Sequence, residues 1–233
     1  GGDGNHEGSD APAVTQVVGQ ATTTVQAPAS SNASSVVGES VTFTAAVTAV
    51  APGAGIPTGT VSFYDGVTLL GTGTVDGSGV ATFTTSALGL GTHSISAVYD
   101  GDDNFTTATS AATDQEVGQA ATTATVTSSV PSPVFGQSII LTATLSVDAP
   151  GSGSPTGLVS FYDGPTLLGT ATLSDGVATL AIDSLSVGVH PITVVYDGDA
   201  NFVGDTSSSL DVEVSRAGTE AVIALPAAVS YGQ

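Results

Sequence analysis

The chain has no cysteine, methionine or tryptophan, and its single basic residue is Arg216, so lysine is missing as well. Each absence removes a class of chemistry. Without cysteine there are no disulfides, zinc–thiolate sites or thiol nucleophiles. Without lysine there is no Schiff base, no phosphate-gripping lysine of a nucleotide loop and no Lys–Asn isopeptide crosslink. One base against 21 acids leaves a formal net charge of −20. Such a surface has nothing with which to displace counterions from nucleic acid or to settle on anionic lipid. No apolar run approaches the roughly 20 residues of a membrane-spanning helix. Nor does a basic segment precede an apolar stretch in the manner of a secretory leader. The expectation is no nucleic-acid partner and no direct membrane insertion within these residues.

What the chain does contain points one way. Among its 233 residues 40% are hydrophobic, with 30 glycines and 11 prolines. The apolar content is carried by valine and alanine beside abundant threonine and serine. β-branched residues punctuated by glycine and proline read as short strands joined by tight turns.

The chain also repeats itself. Val61–Gly66, "VSFYDG", returns unchanged at Val159–Gly164, an offset of 98. At the same offset "VVGESVTFTAAVT" (36–48) aligns with "VFGQSIILTATLS" (134–146). After one residue is lost in a turn, "GTHSISAVYDGDDNF" (91–105) matches "GVHPITVVYDGDANF" (188–202). The ends fit the same register: residues 2–21 align on 101–120, and 228–233 on the entry to the second strand of a repeat. The spacing therefore predicts a tail of one repeat at 1–19, whole repeats at 20–118 and 119–216, and the start of another at 217–233, as in a piece of a longer tandem array. Glu7–Val18 is expected to be a last strand and Ala221–Leu225 a first strand. Such lone strands call for a neighbour to pair with, hence an assembled, fibre-like context.

Within a repeat, period-2 alternation marks seven strand segments, in the first copy near 21–27, 40–49, 59–64, 68–74, 80–85, 92–99 and 106–117. Val41, Phe43, Ala45 and Val47 should face the core, as should Ile139, Leu141, Ala143 and Leu145. In the third strand Val61 and Phe63 face inward, with Ser62 and Tyr64 outward. His93, Ile95, Ala97 and Tyr99 share a face, repeated by His190, Ile192, Val194 and Tyr196. Asp65-Gly66 and Asp163-Gly164 are strong hairpin signals. Nothing reads as a helix. The fold class expected is all-β: tandem seven-stranded immunoglobulin-like β-sandwiches.

The string "PTGTVSFYDGxTLLGTxTx…GVATFTTSALxxGTHSISAVYDGDxNF" resembles the bacterial immunoglobulin-like repeat family, tandem modules of large secreted and surface-anchored bacterial proteins. The resemblance covers both whole repeats. It implies a stalk or adhesive role at the cell surface or outside the cell, and no shared catalytic residues.

The candidate site residues are few. Asp100, Asp102 and Asn104, with Asp197, Asp199 and Asn201, place oxygen ligands at i, i+2 and i+4, a spacing shared with calcium loops. Calcium at the junctions between repeats is the one cofactor expectation. The Glu that completes an EF-hand is missing, and the competing reading is a hydrogen-bonded Asx turn. His93 and His190 have no second ligand on their own strand; they occupy the place where sandwiches tie strand to loop through a backbone hydrogen bond. Asn32-Ala-Ser34 and Asn104-Phe-Thr106 match glycosylation sequons. Tyr64 and Tyr162 are the aromatics placed to stack on sugars. The expected function is a non-catalytic structural or adhesive segment whose partners are neighbouring repeats or copies of itself. The alternative is a carbohydrate- or receptor-binding module; an enzyme with accessory repeats would keep its catalysis outside these residues.

Overall fold

The computed structural model describes residues 4–5 and 11–218. The chain divides into two compact units, with residues 41–85 and 92–116 in the first and Val117 onward in the second. The first repeat contains β1 (Thr23–Val25), β2 (Ala29–Ser30), β3 (Ser34–Val36), β4 (Val41–Ala49), β5 (Thr60–Asp65), β6 (Thr68–Thr74), β7 (Val80–Thr85), β8 (Gly91–Tyr99), β9 (Ala108–Thr109) and β10 (Thr113–Gly118). The second contains β11 (Thr122–Ser128), β12 (Ile139–Val147), β13 (Leu158–Asp163), β14 (Thr166–Thr172), β15 (Val177–Ile182), β16 (Gly188–Gly198), β17 (Val203–Thr206) and β18 (Leu210–Val214).

In the first repeat β1 and β2 lie along one side of β4 and β7 along the other. The facing sheet has the order β3-β10-β8-β5-β6, with β9 also on β8. In the second repeat the sheets are β11-β12-β15 and β14-β13-β16, with β17 and β18 both on β16. Each repeat is thus a three-on-four sandwich of seven strands; the last strand is broken into pieces in both, the first strand only in the first repeat, since β11 runs unbroken.

Both breaks have a local cause. The Ser30 hydroxyl oxygen accepts the Asn32 amide at 3.3 Å, and the Asn32 side chain accepts the Ser34 amide at 3.2 Å. This turn ends pairing with β4 and delivers β3 to the other sheet. In the last strand the Ser110 hydroxyl accepts the Ala97 amide at 2.9 Å and donates to the Ala111 carbonyl at 2.7 Å. Ser207 does the same with Val194 and Ser208, at 3.1 and 2.9 Å. A side-chain oxygen replaces the ladder carbonyl, so the strand bulges without leaving a donor unpaired.

The core follows the alternation. Val41, Phe43, Ala45 and Val47 are buried against Val61, Phe63, Ile95, Ala97 and Tyr99, and the second repeat buries Ile139, Leu141, Ala143, Leu145, Val159, Phe161, Ile192, Val194 and Tyr196. Removing each large side chain from water contributes about 1.5–3 kcal/mol, which the cost of ordering the chain largely offsets.

The "VSFYDG" hairpins turn at Gly66 (φ 56°) and Gly164 (φ 52°), values that glycine adopts without Cβ strain. A register shift between Phe63 and Tyr64 then brings Gly71 opposite Phe63. A Cβ on Gly71 would fall into the ring of Phe83, which stacks on Phe63 with centroids 5.8 Å apart. The glycine is there because β7 crosses close over β6.

Two expectations need correcting. Ser62 is not exposed: at 8% it is a small side chain on a strand flanked by β8 and β6, with the Asp100 carboxylate 3.4 Å from its hydroxyl. Tyr64 and Tyr162 are half-buried as well. Residues 11–19 form no strand, and Val14 and Val18 stand exposed, so the expected last strand at Glu7–Val18 is absent over its described part. A strand without a partner satisfies neither its amides nor its carbonyls and buries nothing. The inference from ordered ends to an assembled fibre falls with it. The expected strand at Ala221–Leu225 lies outside the described residues.

Candidate functional site

The "YDGD" loops are built from the buried end of a strand outward. Tyr99 and Tyr196 close the core rows of β8 and β16. Gly101 (φ 83°) and Gly198 (φ 91°) then turn the chain, and the loop closes with the Asp102 amide on the Phe105 carbonyl and the Asp199 amide on the Phe202 carbonyl, each 3.0 Å. The turn aims one carboxylate of each loop inward. Asp102 accepts the Thr58 amide and hydroxyl on one oxygen (2.9 and 2.7 Å), and the Asn104 and Phe105 amides on the other (2.8 and 2.9 Å). Asp199 accepts the equivalent four donors from Thr156, Asn201 and Phe202 at 2.8–3.0 Å.

The remaining candidate ligands do not converge on these carboxylates. Asp100 and Asp197 point to solvent, Asp100 lying 3.4 Å from the Ser62 hydroxyl. Asn104 and Asn201 use their backbone amides. Among the described residues no group of three or more histidine, aspartate or glutamate side chains has a metal-holding arrangement. A calcium ion on Asp102 or Asp199 would have to compete with four hydrogen bonds already made.

The electrostatics fit a turn-forming anion. The Thr58 hydroxyl, with the Thr58 and Asn104 amides, holds Asp102 well below the usual carboxylate range. Burial works against Asp199, but the Thr156 hydroxyl and the amides around it lower its pKa all the same. Burial, then the neighbouring carboxylate, pushes both Tyr99 and Tyr196 up to about 12. A carboxylate with a depressed folded pKa contributes stability above its unfolded pKa of about 3.9 and loses it as pH falls through the folded value. Asp199→Asn is therefore expected to lower the thermal midpoint at neutral pH and to flatten its fall below about pH 4. An unchanged acid limb in a pH series of melting curves would count against this role.

Sequence reading missed the partner of each histidine. The carboxylate is not on the same strand but on the hairpin beside it. The His93 Nδ1 lies 2.7 Å from Asp65, and the other Asp65 oxygen accepts the Ser94 amide at 3.0 Å. The His190 Nδ1 lies 2.7 Å from Asp163, and its Nε2 lies 2.8 Å from the Ser186 carbonyl, the strand-to-loop tie that its position suggested. The signal was present in the repetition itself: Asp and His recur together at both hairpin and strand.

Gln115 was also missed. It is fully buried, accepts the Ser30 hydroxyl at 2.6 Å and donates to the Asn32 carbonyl at 2.8 Å. In the second repeat Val212 takes its place. The amide clips the broken first strand to the last strand in one repeat, where the other uses apolar packing.

Two copies of a seven-stranded three-on-four sandwich, each with its own core, define a tandem immunoglobulin-like protein. The family model for the bacterial Ig-like domain (group 3) matches residues 27–118 and again 121–215, and the chain belongs to that family as two tandem copies. No curated protein matches the chain. Solved structures similar to the chain include the CbhA fibronectin(III)-like modules of Clostridium thermocellum, 19% identical over 82% of this chain and 94% of theirs (TM-score 0.33). The Escherichia coli adhesin FdeC is 18% identical over 83% of this chain and 64% of its own (0.32). Titin domains A168–A170 are 12% identical over 82% and 66% (0.44).

Proposed function

We propose that this chain is a non-catalytic spacer or adhesive repeat segment of a prokaryotic protein displayed at the cell surface or secreted. The observation that carries the reading is where the duplicated polar residues go. Asp65, Asp102 and His93, and their counterparts Asp163, Asp199 and His190, are all engaged in tying strands and loops of their own repeat. A duplicated active site would leave reactive groups aimed at a common open space; here the repetition maintains a scaffold. Membership of a bacterial Ig-like family supports the same reading.

A spacer must resist extension one domain at a time, with stability roughly additive along the array. Pulling the chain between its ends in a force spectrometer is expected to give two separate unfolding events. Each should release a contour length of about 30 nm, from roughly 95 residues at ~3.3–3.6 Å per residue. Gradual extension without discrete events would overturn a load-bearing-domain role, and immunolabelling that places the parent protein inside the cell would overturn the surface assignment.

A further inference from the structure

We propose that His190 is a proton-operated clamp: it is held as an imidazolium at neutral pH, joins the β13–β14 hairpin to the 183–187 loop, and lets go when it is deprotonated in alkaline medium. A backbone carbonyl only accepts, so the 2.8 Å contact with Ser186 requires a hydrogen on Nε2. An ionised carboxylate only accepts, so the 2.7 Å contact with Asp163 requires a hydrogen on Nδ1. Both are satisfied together only by the cation.

The surroundings favour it. Asp163, at the end of β13, faces the ring directly. Across the ladder from His190 is the apolar Val212, while Asp211 and Glu213 alternate onto the solvent face and Asp183 is exposed in the loop, so every nearby charge is negative. Burial opposes the charge, but the hydrogen bond to Asp163, the Ser186 carbonyl and the Asp163 charge outweigh it and raise the pKa. A raised folded pKa contributes stability that is complete below the unfolded value of about 6.5 and is lost as pH rises through the folded value.

The composition isolates this effect. With no lysine and no cysteine, and tyrosines ordinarily titrating near pH 10, the side chains that change charge between about pH 6 and 9 are the three histidines. His6 lies outside the described residues, and His93 belongs to the first repeat. An alkaline loss of stability confined to the second repeat therefore reports on His190.

The test uses the whole chain. Nitrogen-detected NMR of the imidazoles should show His190 with both ring nitrogens protonated at neutral pH. The thermal midpoint of the second repeat should fall from about pH 6 to about pH 9. Over the same range exchange of the Gly164 amide, bonded to the Pro191 carbonyl at 3.0 Å, should exceed its intrinsic rise with pH. His190→Gln should abolish the slope, and Asp163→Asn should lower the pH at which it occurs. A His190 ring with one bare nitrogen at neutral pH, or a slope that survives His190→Gln, overturns the clamp. If His190→Gln does not fold, titration of the unsubstituted chain decides alone.

Discussion

Phe63→Ala is expected to unfold the first repeat under conditions in which the second stays native. Phe63 is fully buried and carries the ring of Phe83 on its face. Truncating such a residue costs about 3–5 kcal/mol, because lost transfer energy and the cavity left behind add together. Domains of this size have only about 5–15 kcal/mol in total. Calorimetry should show one transition lowered by about 15 °C or more and the other in place. Hydrogen exchange would assign the lowered transition to β4, β5 and β8. A single merged transition falling as a whole would mean that the repeats do not fold independently. Phe161→Ala should produce the mirror result in the second repeat.

Gly198→Ala is expected to break the second "YDGD" loop, whereas Gly164→Ala, in the same repeat, should be mild. Both glycines have positive φ, 91° and 52°. That conformation alone costs an alanine about 1–2 kcal/mol. The difference is space. A Cβ at Gly164 meets nothing within 4 Å, whereas one at Gly198 would sit 2.7 Å from the Phe202 carbonyl oxygen and 2.8 Å from the Gly204 amide. Backbone cannot swing away as a side chain can, so overpacking adds to the conformational cost and the total reaches about 2–4 kcal/mol. Denaturant midpoints of the two variants measure the contrast directly. Equal losses would show that backbone conformation, not the closeness of the loop, governs both sites.

These two sites also show why the fold was easier to read than the loops. Phe63 declares itself: it sits two residues from Val61 in an alternating run and recurs as Phe161 at an offset of 98. Hydrophobic periodicity is a local property of the chain, and duplication reports it twice. The break in the last strand was less legible, since "TATSAAT" alternates no worse than its neighbours. Only the presence of a facing Ala97 amide tells Ser110 to replace a ladder carbonyl. Ser62 was misplaced for a related reason. Alternation gives the direction of a side chain, but how far a small one is shielded depends on neighbours such as Asp100, 38 residues further along the chain.

By itself the sequence determined the class of protein: all-β, tandem, free of cysteine and lysine chemistry, with the core rows and hairpin glycines named in advance. Those follow from composition and short-range pattern, which every strand carries within itself. Only the tertiary structure decided what the polar residues are for. "DGD" has the spacing of a cation loop, and nothing local distinguishes that from a turn; what distinguishes them is Thr58, more than 40 residues upstream, placing its amide and hydroxyl on Asp102. Likewise His190 looks alone on its strand until the sheet brings Asp163 beside it. A hydrogen bond between distant segments depends on where the fold puts them, and no periodicity within either segment records it.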